Sequence, residues 1–186
     1  KLKSRLVFSK NLTIAGQTAP GEGVVVYGNG VSFSAAENII VRYLRIRMGI
    51  GGTSGADAAG IANGGNMIFD HVSATWGLDE NFSINWDSKG FEPYNITIQN
   101  SIIGQGIMVH ACGGLIQTNG GVTLYRNLYI DNKTRNPKVK GLNQFVNNVV
   151  YNWGEGGAYI LGDTEASSWG VITNNYFIKG PVEGTK

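Results

Sequence analysis

Short apolar runs recur along the chain at a nearly constant interval. Each run has three to five residues, is rich in β-branched and aromatic side chains, and follows a partner run a few positions upstream. Such runs, bounded by Gly and Asn, are typical of short β-strands, and no segment keeps the 3.6-residue period of an amphipathic helix. Successive runs start 28, 29, 27, 21 and 27 positions apart, at Tyr43, His71, Asn100, Asn127, Asn148 and Asn175.

This period predicts a solenoid. A unit of two or three short strands cannot bury its apolar face alone, but stacking units at about 4.8 Å forms continuous parallel sheets around one core. We therefore expect an all-β fold, a parallel β-helix of about seven rungs, as a single domain over residues 1–186. The chain has 28 glycines and only 4 prolines, which suits a fold with many tight corners.

Asparagine begins four of the principal runs, at Asn100, Asn127, Asn148 and Asn175. Asn tolerates the left-handed backbone conformation of a sharp turn, and its side-chain amide can hydrogen-bond to the amide of the next rung. We therefore expect these four residues to form one ladder between rungs. His71 falls in register with Asn100, so it is interpreted as a structural member of the same stack.

Composition excludes some classes of function. Apolar residues make up 42% of the chain and charged residues 15%, which indicates a folded protein. The net charge of +2 is too small to argue for a nucleic-acid partner, so any acidic partner depends on local placement of Lys and Arg. No apolar run is long enough to span a membrane, and the single cysteine, Cys112, excludes an internal disulfide. Four sequons permit glycosylation, at Asn11, Asn81, Asn95 and Asn132.

Four segments in order carry a family resemblance. They are 55–61 (GADAAGI), 69–81 (FDHVSATWGLDEN), 135–140 (RNPKVK) and 147–153 (NNVVYNW). Together they resemble the pectate lyase and pectin lyase superfamily of polysaccharide lyases. The resemblance implies a right-handed parallel β-helix, secreted to the extracellular space, that cleaves (1→4)-α-D-galacturonan (homogalacturonan) of plant cell walls by β-elimination with Ca²⁺.

The resemblance also assigns roles to basic residues. Arg135 matches the arginine assigned in the family as catalytic base. A guanidinium hardly ever loses its proton, so we expect nearby cations, such as Lys138 and Lys140, to lower its pKa. Lys140 stands where the family usually has arginine, and Lys138 and Lys140 are interpreted as substrate-binding. The family's further active-site lysine has no match, and His110 in that stretch is a candidate substrate contact or proton carrier.

Three acidic residues are the candidate metal ligands. Asp57 and Asp79 match calcium-binding positions of the family, and carboxylate oxygens suit this hard cation. The partner carboxylate normally four residues after Asp79 is replaced by Ser83, so Glu80 is expected to supply the missing charge, or the ion to bind only with substrate.

Two other classes of function remain open. A glycoside hydrolase of the polygalacturonase kind would use clustered carboxylates, for which Asp70, Asp79 and Glu80 are candidates, and would leave Arg135 without a role. A non-catalytic β-helix could bind polysaccharide only, since fold does not imply chemistry. Calcium-independent pectin lyase is disfavoured by the presence of Asp57 and Asp79.

The ends of the chain suggest association. The family usually has a segment before the first rung and continues beyond the last one found here. Open solenoid ends expose strand edges and core. We therefore expect missing end caps, and a partner chain, a cleaved precursor or self-association at these ends.

Overall fold

The computed structural model describes residues 1–107, 109–162 and 167–181, which form short strands and one 3₁₀ turn at Gly16–Thr18. No helix in these residues is long and apolar enough to cross a membrane. In chain order the strands are β1 (Leu6–Val7), β2 (Leu12–Ala15), β3 (Val24–Tyr27), β4 (Val31–Ser32), β5 (Ala36–Arg42), β6 (Leu44–Arg47), β7 (Ala59–Ile61), β8 (Gly64–Asp70), β9 (Ser73–Thr75), β10 (Phe82–Asn85), β11 (Tyr94–Gln99), β12 (Ile102–Gly104), β13 (Leu115–Tyr125), β14 (Leu128–Ile130), β15 (Lys138–Val146), β16 (Val149–Tyr151), β17 (Ile160–Leu161), β18 (Ser168–Thr173) and β19 (Tyr176–Ile178).

All strand pairs are parallel, and they form three faces of a coil. Sheet 1 contains β1, β4, β7, β10, the first halves of β13 and β15, and β17. Sheet 2 contains β2, β5, β8, β11, the second halves of β13 and β15, and β18. Sheet 3 contains β3, β6, β9, β12, β14, β16 and β19. The described residues thus form about seven rungs, and the predicted all-β, right-handed parallel β-helix is confirmed.

Inward-facing side chains stack from rung to rung to form the core. Strand periodicity places every second residue inside. The parallel register then aligns the inward-facing residues of one rung with those of the next. One such column, fully buried in sheet 2, is Val41, Phe69, Ile98, Leu124 and Phe145. Phe69 also contacts the rings of Phe33 and Phe82 edge-on, with ring centroids 4.9 and 5.0 Å apart. The apolar column is therefore continuous through the coil, as the sequence period requires.

Three of the four asparagines expected to form a ladder do so. The backbone N–H of Asn127 donates to Asn148 Oδ1, and that of Asn148 donates to Asn175 Oδ1, both at 2.8 Å. Asn100 was expected in this ladder, and that prediction is wrong. Ser101 occupies the equivalent position, where its N–H donates to Asn127 Oδ1 at 3.0 Å, and Asn100 lies one residue earlier.

The left-handed turn residue is the one that precedes each ladder asparagine. Asn147 and Asn174 have φ of 58° and 55°, and Asn100 has 48° in register with them. His71 occupies the same turn position with φ of 56°. Its ring stacks on Tyr43 with centroids 4.6 Å apart, which agrees with the structural interpretation of this histidine.

A second asparagine ladder was not predicted. Asn11, Asn38, Asn66 and Asn95 begin the upstream runs and form a chain of side-chain hydrogen bonds at 2.8, 3.3 and 2.9 Å. All four residues have positive φ. This exposed ladder lies at the entry to sheet 2 in the first rungs, whereas the ladder of Asn127, Asn148 and Asn175 lies at another corner in the later rungs.

Burial corrects the expectation of four glycosylation sites. Asn81 and Asn132 are 0% and 1% exposed, and their side chains hydrogen-bond to each other at 2.8 Å. A glycan could not be attached there in the folded protein. Asn11 and Asn95 are exposed, so only these two sequons stay open to modification.

We predict that Asn148→Ala destabilises the protein by about 2–4 kcal/mol, because it leaves buried backbone groups without partners. Asn148 Oδ1 accepts from the N–H of Asn127, and Asn148 Nδ2 donates to the carbonyl of Leu124 at 2.9 Å. Denaturant unfolding measures the change. The control Gln144→Ala removes an exposed amide from the neighbouring strand and should change stability by less than about 0.5 kcal/mol. Equal effects of the two substitutions would contradict a stabilising role for the ladder.

Candidate functional site

Three carboxyl groups meet at the corner that leads into sheet 1. Asp57 lies just before β7, and Asp79 and Glu80 lie just before β10 on the next rung. Parallel bridging aligns the two corners, since the N–H of Ala58 donates to the carbonyl of Glu80 at 3.0 Å. One oxygen from each of the three carboxyl groups lies within 4.8 Å of the others. The predicted metal ligands are therefore brought together.

Little solvent reaches the carboxyl groups of this cluster, and the ionisation of Asp57 and that of Glu80 affect each other. Glu80 is 4% exposed, and its N–H donates to Asp57 Oδ1 at 3.2 Å. Burial raises the pKa of Asp57, although hydrogen bonds from the side chain and backbone of Glu80 oppose the shift. Burial, followed by the negative charges of Asp57 and Asp79, raises the pKa of Glu80 to about 8. Both carboxyl groups are thus harder to ionise than a solvent-exposed acid.

Arg135 joins this cluster through an ion pair. Its Nη1 donates to Glu80 Oε1, and its side chain is 31% exposed. Arg135 lies at the corner before β15, with a left-handed φ of 53°. Cys112 bridges the intervening rung, paired with Glu80 on one side and Thr134 on the other. The stacked corners thus bring together an arginine and a glutamate 55 residues apart in sequence.

The electrostatic expectation for Arg135 was wrong. Cationic neighbours were expected to lower its pKa, but its charged neighbours include Glu80 and Asp79. Burial does lower the pKa of Arg135, but the Cys112 thiolate (when ionised), the hydrogen bond that Arg135 donates to Glu80 and the carboxylate charges outweigh it, so the pKa is raised. In this state of the site Arg135 is a firmly protonated cation that balances part of the acidic charge.

A buried asparagine network lies behind the site and was not predicted. Asn132 accepts from Asn81 Nδ2 and donates to Asn136 Oδ1, both at 2.8 Å. Asn81 follows Glu80, and Asn136 follows Arg135. The network therefore fixes the corner residues adjacent to both charged side chains. Its only sequence signal is an asparagine beside each charged residue, which also fits ordinary turn chemistry.

His110 lies at the rim of the cluster. Its Nδ1 is 3.3 Å from Asp79 Oδ1, and its side chain is 64% exposed. Asp79 Oδ1 is itself shielded from solvent, and within the described residues its approach to His110 does not form a well-aligned hydrogen bond. A buried carboxylate oxygen in this position is costly unless a cation or proton reaches it. Together with the oxygen-only donor set of the three acids, it fits a hard divalent cation.

Ser83 and the two candidate lysines lie elsewhere on sheet 1. The Oγ of Ser83 accepts from the backbone of Leu115 at 3.1 Å, so this side chain is used within the sheet. Lys138 pairs in register with Leu115, and Lys140 with Gln117. Lys140 is five residues along from Arg135, which corresponds to about 16 Å in extended chain. The structure brings Asp57, Asp79, Glu80, His110 and Arg135 together, whereas Lys138 and Lys140 lie further along the same face.

One further cation borders the cluster. Arg5 donates through Nη2 to the carbonyl oxygen of Asp57 at 3.3 Å and contributes a positive charge beside its carboxylate. Arg5 precedes β1, two strands from β7 in sheet 1. Sequence reasoning missed Arg5 because its contact depends on the stacking of rungs 52 residues apart.

Three fungal relatives align with almost the whole chain. Proteins named probable pectate lyase C from Neosartorya fischeri and Aspergillus fumigatus are 66% identical over 181 residues, and that from Aspergillus flavus is 64% identical over 181 residues. Each alignment covers 97% of this chain and 42% of the relative. The chain thus spans about two fifths of the length of the curated relatives it matches. No protein-family model matches the chain.

The three sheet faces and the charged corner of sheet 1 define a right-handed parallel β-helix with a carboxylate–arginine site on its surface. Along 97% of its length the chain is 66% identical to these relatives, so it is similar to proteins named probable pectate lyase C.

We predict that Glu80→Gln makes stability less dependent on pH. The pKa of Glu80 is raised from 4.5 to about 8 by folding, so the folded state binds a proton that the unfolded state releases between these values. The free energy of unfolding should therefore fall as pH rises through this window in chelator, and fall less in the Gln variant. Denaturant unfolding between about pH 5 and pH 9 measures how the free energy of unfolding changes with pH in the parent protein and in the variant.

The control for this prediction is Glu155→Gln, which removes a carboxylate whose side chain is 75% exposed. In this variant the free energy of unfolding should change with pH as it does in the parent protein. If Glu80→Gln also matched the parent, the carboxyl group of Glu80 would titrate normally and the coupled cluster would be excluded.

Proposed function

We propose that this protein is a secreted polysaccharide lyase of the pectate lyase type, which cleaves homogalacturonan by β-elimination. The observation that carries the proposal is the contact between Arg135 and the Asp57–Asp79–Glu80 cluster on one solvent-facing corner. The fungal relatives named probable pectate lyase C support the same activity. The longer proteins contain more than the part matched here, so the whole activity is inferred for this chain.

The reaction explains why cations and carboxylates occur together. In β-elimination a base removes the proton at C5 of a galacturonate and the glycosidic oxygen leaves from C4. That proton becomes acidic only when the neighbouring substrate carboxylate is neutralised. A bound Ca²⁺ would supply this neutralisation as a Lewis acid. Asp57, Asp79 and Glu80 would hold it, since carboxylate oxygens suit such a hard cation, and further oxygens would complete its roughly six to eight ligands.

Arg135 is proposed as the group nearest the reacting C5 proton. Its guanidinium is one-third exposed at the edge of the cluster, so it can face a sugar while remaining ion-paired with Glu80. The carboxylates that raise its pKa are the same groups that would hold the cation, and their charge would be balanced in the loaded site. This would remove the part of the rise in the pKa of Arg135 that the carboxylates cause.

His110, Lys138 and Lys140 are proposed as substrate contacts. His110 stands at the exposed rim beside Asp79 and can donate to a hydroxyl or carboxylate of the polymer. Lys138 and Lys140 belong to the outward row of β15, where ammonium groups would attract the carboxylates of further sugars along the face. These contacts would orient the polymer, whereas Arg135 would take part in the reaction itself.

A polygalacturonase-type hydrolase is less well supported. Asp70 was one of its three candidate carboxylates, but it pairs with His71 at 2.9 Å and accepts from Asn100 at 2.9 Å on another corner of the coil. Asp79 and Glu80 remain as candidates, and Glu80 forms an ion pair with Arg135. The product separates the two classes, because only elimination creates a conjugated unsaturated uronate that absorbs ultraviolet light.

We predict ultraviolet-absorbing product from polygalacturonate with added Ca²⁺ and little or none in excess chelator. Asp79→Asn should need about tenfold more Ca²⁺ for half-maximal rate, since it removes one charged oxygen ligand. Thermal unfolding gives a readout independent of activity, because Ca²⁺ should raise the melting temperature of the parent more than that of the variant. Glu155→Gln serves as the control acid. Equal rates in Ca²⁺ and chelator would sink the metal proposal.

We also predict that Arg135→Lys keeps the fold but lowers kcat by about 10²-fold or more, the range for loss of a positioned proton-transfer group. Lysine keeps the charge that balances Glu80 but loses the planar fork of the guanidinium. Arg126→Lys is a matched control, since Arg126 is exposed and also has a left-handed φ, of 56°. An Arg135→Lys enzyme as active as the parent would make Arg135 a structural cation only.

A further inference from the structure

A second pocket lies at the corner where sheet 2 passes into sheet 3, and its volume is about 380 Å³. One wall contains Tyr43 and His71, and the other is formed by segment 16–23. That segment uses eight residues to pass from β2 to β3, whereas Tyr43 alone joins β5 to β6. The loop therefore stands out beside the coil and encloses a space of the size that binds small ligands. We call this space the Tyr43 pocket.

The ring of Tyr43 has one covered face and one open face. His71 stacks on the first face, with ring centroids 4.6 Å apart and ring planes inclined by 13°. At the same turn position of the preceding rung stands Gly16, since Ala15 pairs with Arg42. A Cβ at Gly16 would overlap the carbonyl oxygen of Tyr43, so this position requires glycine. The aromatic stack thus ends at Tyr43, and the second face of its ring borders the pocket.

An aromatic side chain is an unfavourable choice at this turn position. The φ of Tyr43 is 55°, in the left-handed region, and later rungs place Asn100, Asn147 and Asn174 at the equivalent turn. Asparagine tolerates this conformation, whereas for a bulky residue it is an outlier. Strained residues of this kind cluster at functional sites and ligand clamps. The ring of Tyr43 is therefore held against the backbone preference, as expected for a ligand contact.

Polar groups of both charges lie beside the open face. Arg45 Nη1 donates to the carbonyl oxygen of Glu22 at 2.6 Å, which ties the loop to β6. Both residues line the pocket and are exposed, and neither side chain forms an ion pair within the part of the chain that the structure describes. The pocket thus offers a carboxylate acceptor and a guanidinium donor beside an aromatic face.

We propose that the Tyr43 pocket binds a neutral sugar residue. A pyranose has an apolar C–H face, which packs on the ring of Tyr43, and a rim of hydroxyls that both donate and accept. One hydroxyl donates to Glu22 and another accepts from Arg45. The carboxylate of a uronate would be repelled by Glu22, and a purely apolar ligand would leave both charged groups without partners. A neutral sugar uses the aromatic face and both charged groups.

The location of the pocket separates it from the acidic corner. The pocket follows sheet 2, whereas Asp57, Glu80 and Arg135 precede strands of sheet 1. A sugar bound beside Tyr43 is therefore an attachment point to a neutral glycan and takes no part in the proposed elimination. The inference does not depend on the lyase activity.

Affinity electrophoresis through native gels that contain galactan, arabinan or galactomannan tests the pocket. The parent protein should be retarded by at least one of these neutral polysaccharides, and Tyr43→Asn should weaken that retardation by about threefold to tenfold, the size of one aromatic contact. Asparagine is the residue that later rungs carry at this turn, so the variant should fold. Arg126→Asn is the matched control, because Arg126 has the same left-handed conformation on another rung, and it should behave as the parent.

Glu22→Gln tests the pocket without changing the coil, because Glu22 is an exposed loop residue. It should weaken retardation by about threefold, since a hydrogen bond to a charged group is stronger than one to an amide. A parent protein that none of the three neutral gels retards would overturn the proposal. So would Tyr43→Asn and Glu22→Gln proteins retarded as strongly as the parent, or retardation by polygalacturonate alone.

Product formation from polygalacturonate reports separately on the proposed function. Tyr43→Asn should keep the KM and kcat of the parent, because the pocket lies away from Arg135. Retardation that depends on Tyr43, without any unsaturated product, would support the pocket and overturn the lyase. Unsaturated product without retardation in the neutral gels would support the lyase and overturn the pocket.

Discussion

The parallel register between successive rungs is the constraint on which the rest of this structure depends. Each backbone hydrogen bond between rungs fixes which residue of one coil lies beside which residue of the next. That register aligns the buried column that contains Phe69, and it also aligns the corners that hold Asp57, Glu80 and Arg135. A slip of one residue on any rung would turn its inward side chains outward and would separate the arginine from the glutamate. Stability and site geometry therefore have one common cause.

Charge within the corner is balanced locally. Three carboxyl groups in contact cannot all ionise without a cation, which is why burial and mutual repulsion raise the pKa of Glu80 to about 8. Arg135 balances one of these charges. The asparagine network behind these side chains contributes no charge, and it satisfies backbone groups that the corners leave unpaired. Charge balance and backbone satisfaction at this corner thus come from different side chains.

The fold could be predicted from the sequence because a repeat of this kind determines how the strands stack. Runs of strand formers at an interval near 27 residues have one efficient way to bury their apolar faces, and the coil follows. The register at the corners was harder to predict. Asn100 looks like the later ladder asparagines, but its neighbour Ser101 takes the ladder position, and residue type alone cannot distinguish a left-handed turn residue from the one after it.

The sequence indicated which residues lie close together but not how they pair. The acids and Arg135 lie close together because both precede strands of the same sheet. The pairing of Arg135 with Glu80 could not be read from the sequence, since it depends on the stacking of three corners through Cys112. Nor could the two lysines be separated from Arg135, because a strand carries Lys140 about 16 Å away in only five residues.

Serine stands at position 83, where the family resemblance implies a carboxylate, and the structure shows how Ser83 and Glu80 differ. Ser83 and Glu80 are both 4% exposed, but the Ser83 hydroxyl accepts from the backbone of Leu115 within the sheet, whereas Glu80 lies in the corner in contact with Arg135. The acidic charge next to Arg135 therefore comes from the corner residue and not from the strand. The corner thus combines three acidic side chains with the guanidinium of Arg135, and burial together with the charges of Asp57 and Asp79 raises the pKa of Glu80. A cation that approached this corner would meet carboxylate oxygens whose charge Arg135 already balances in part.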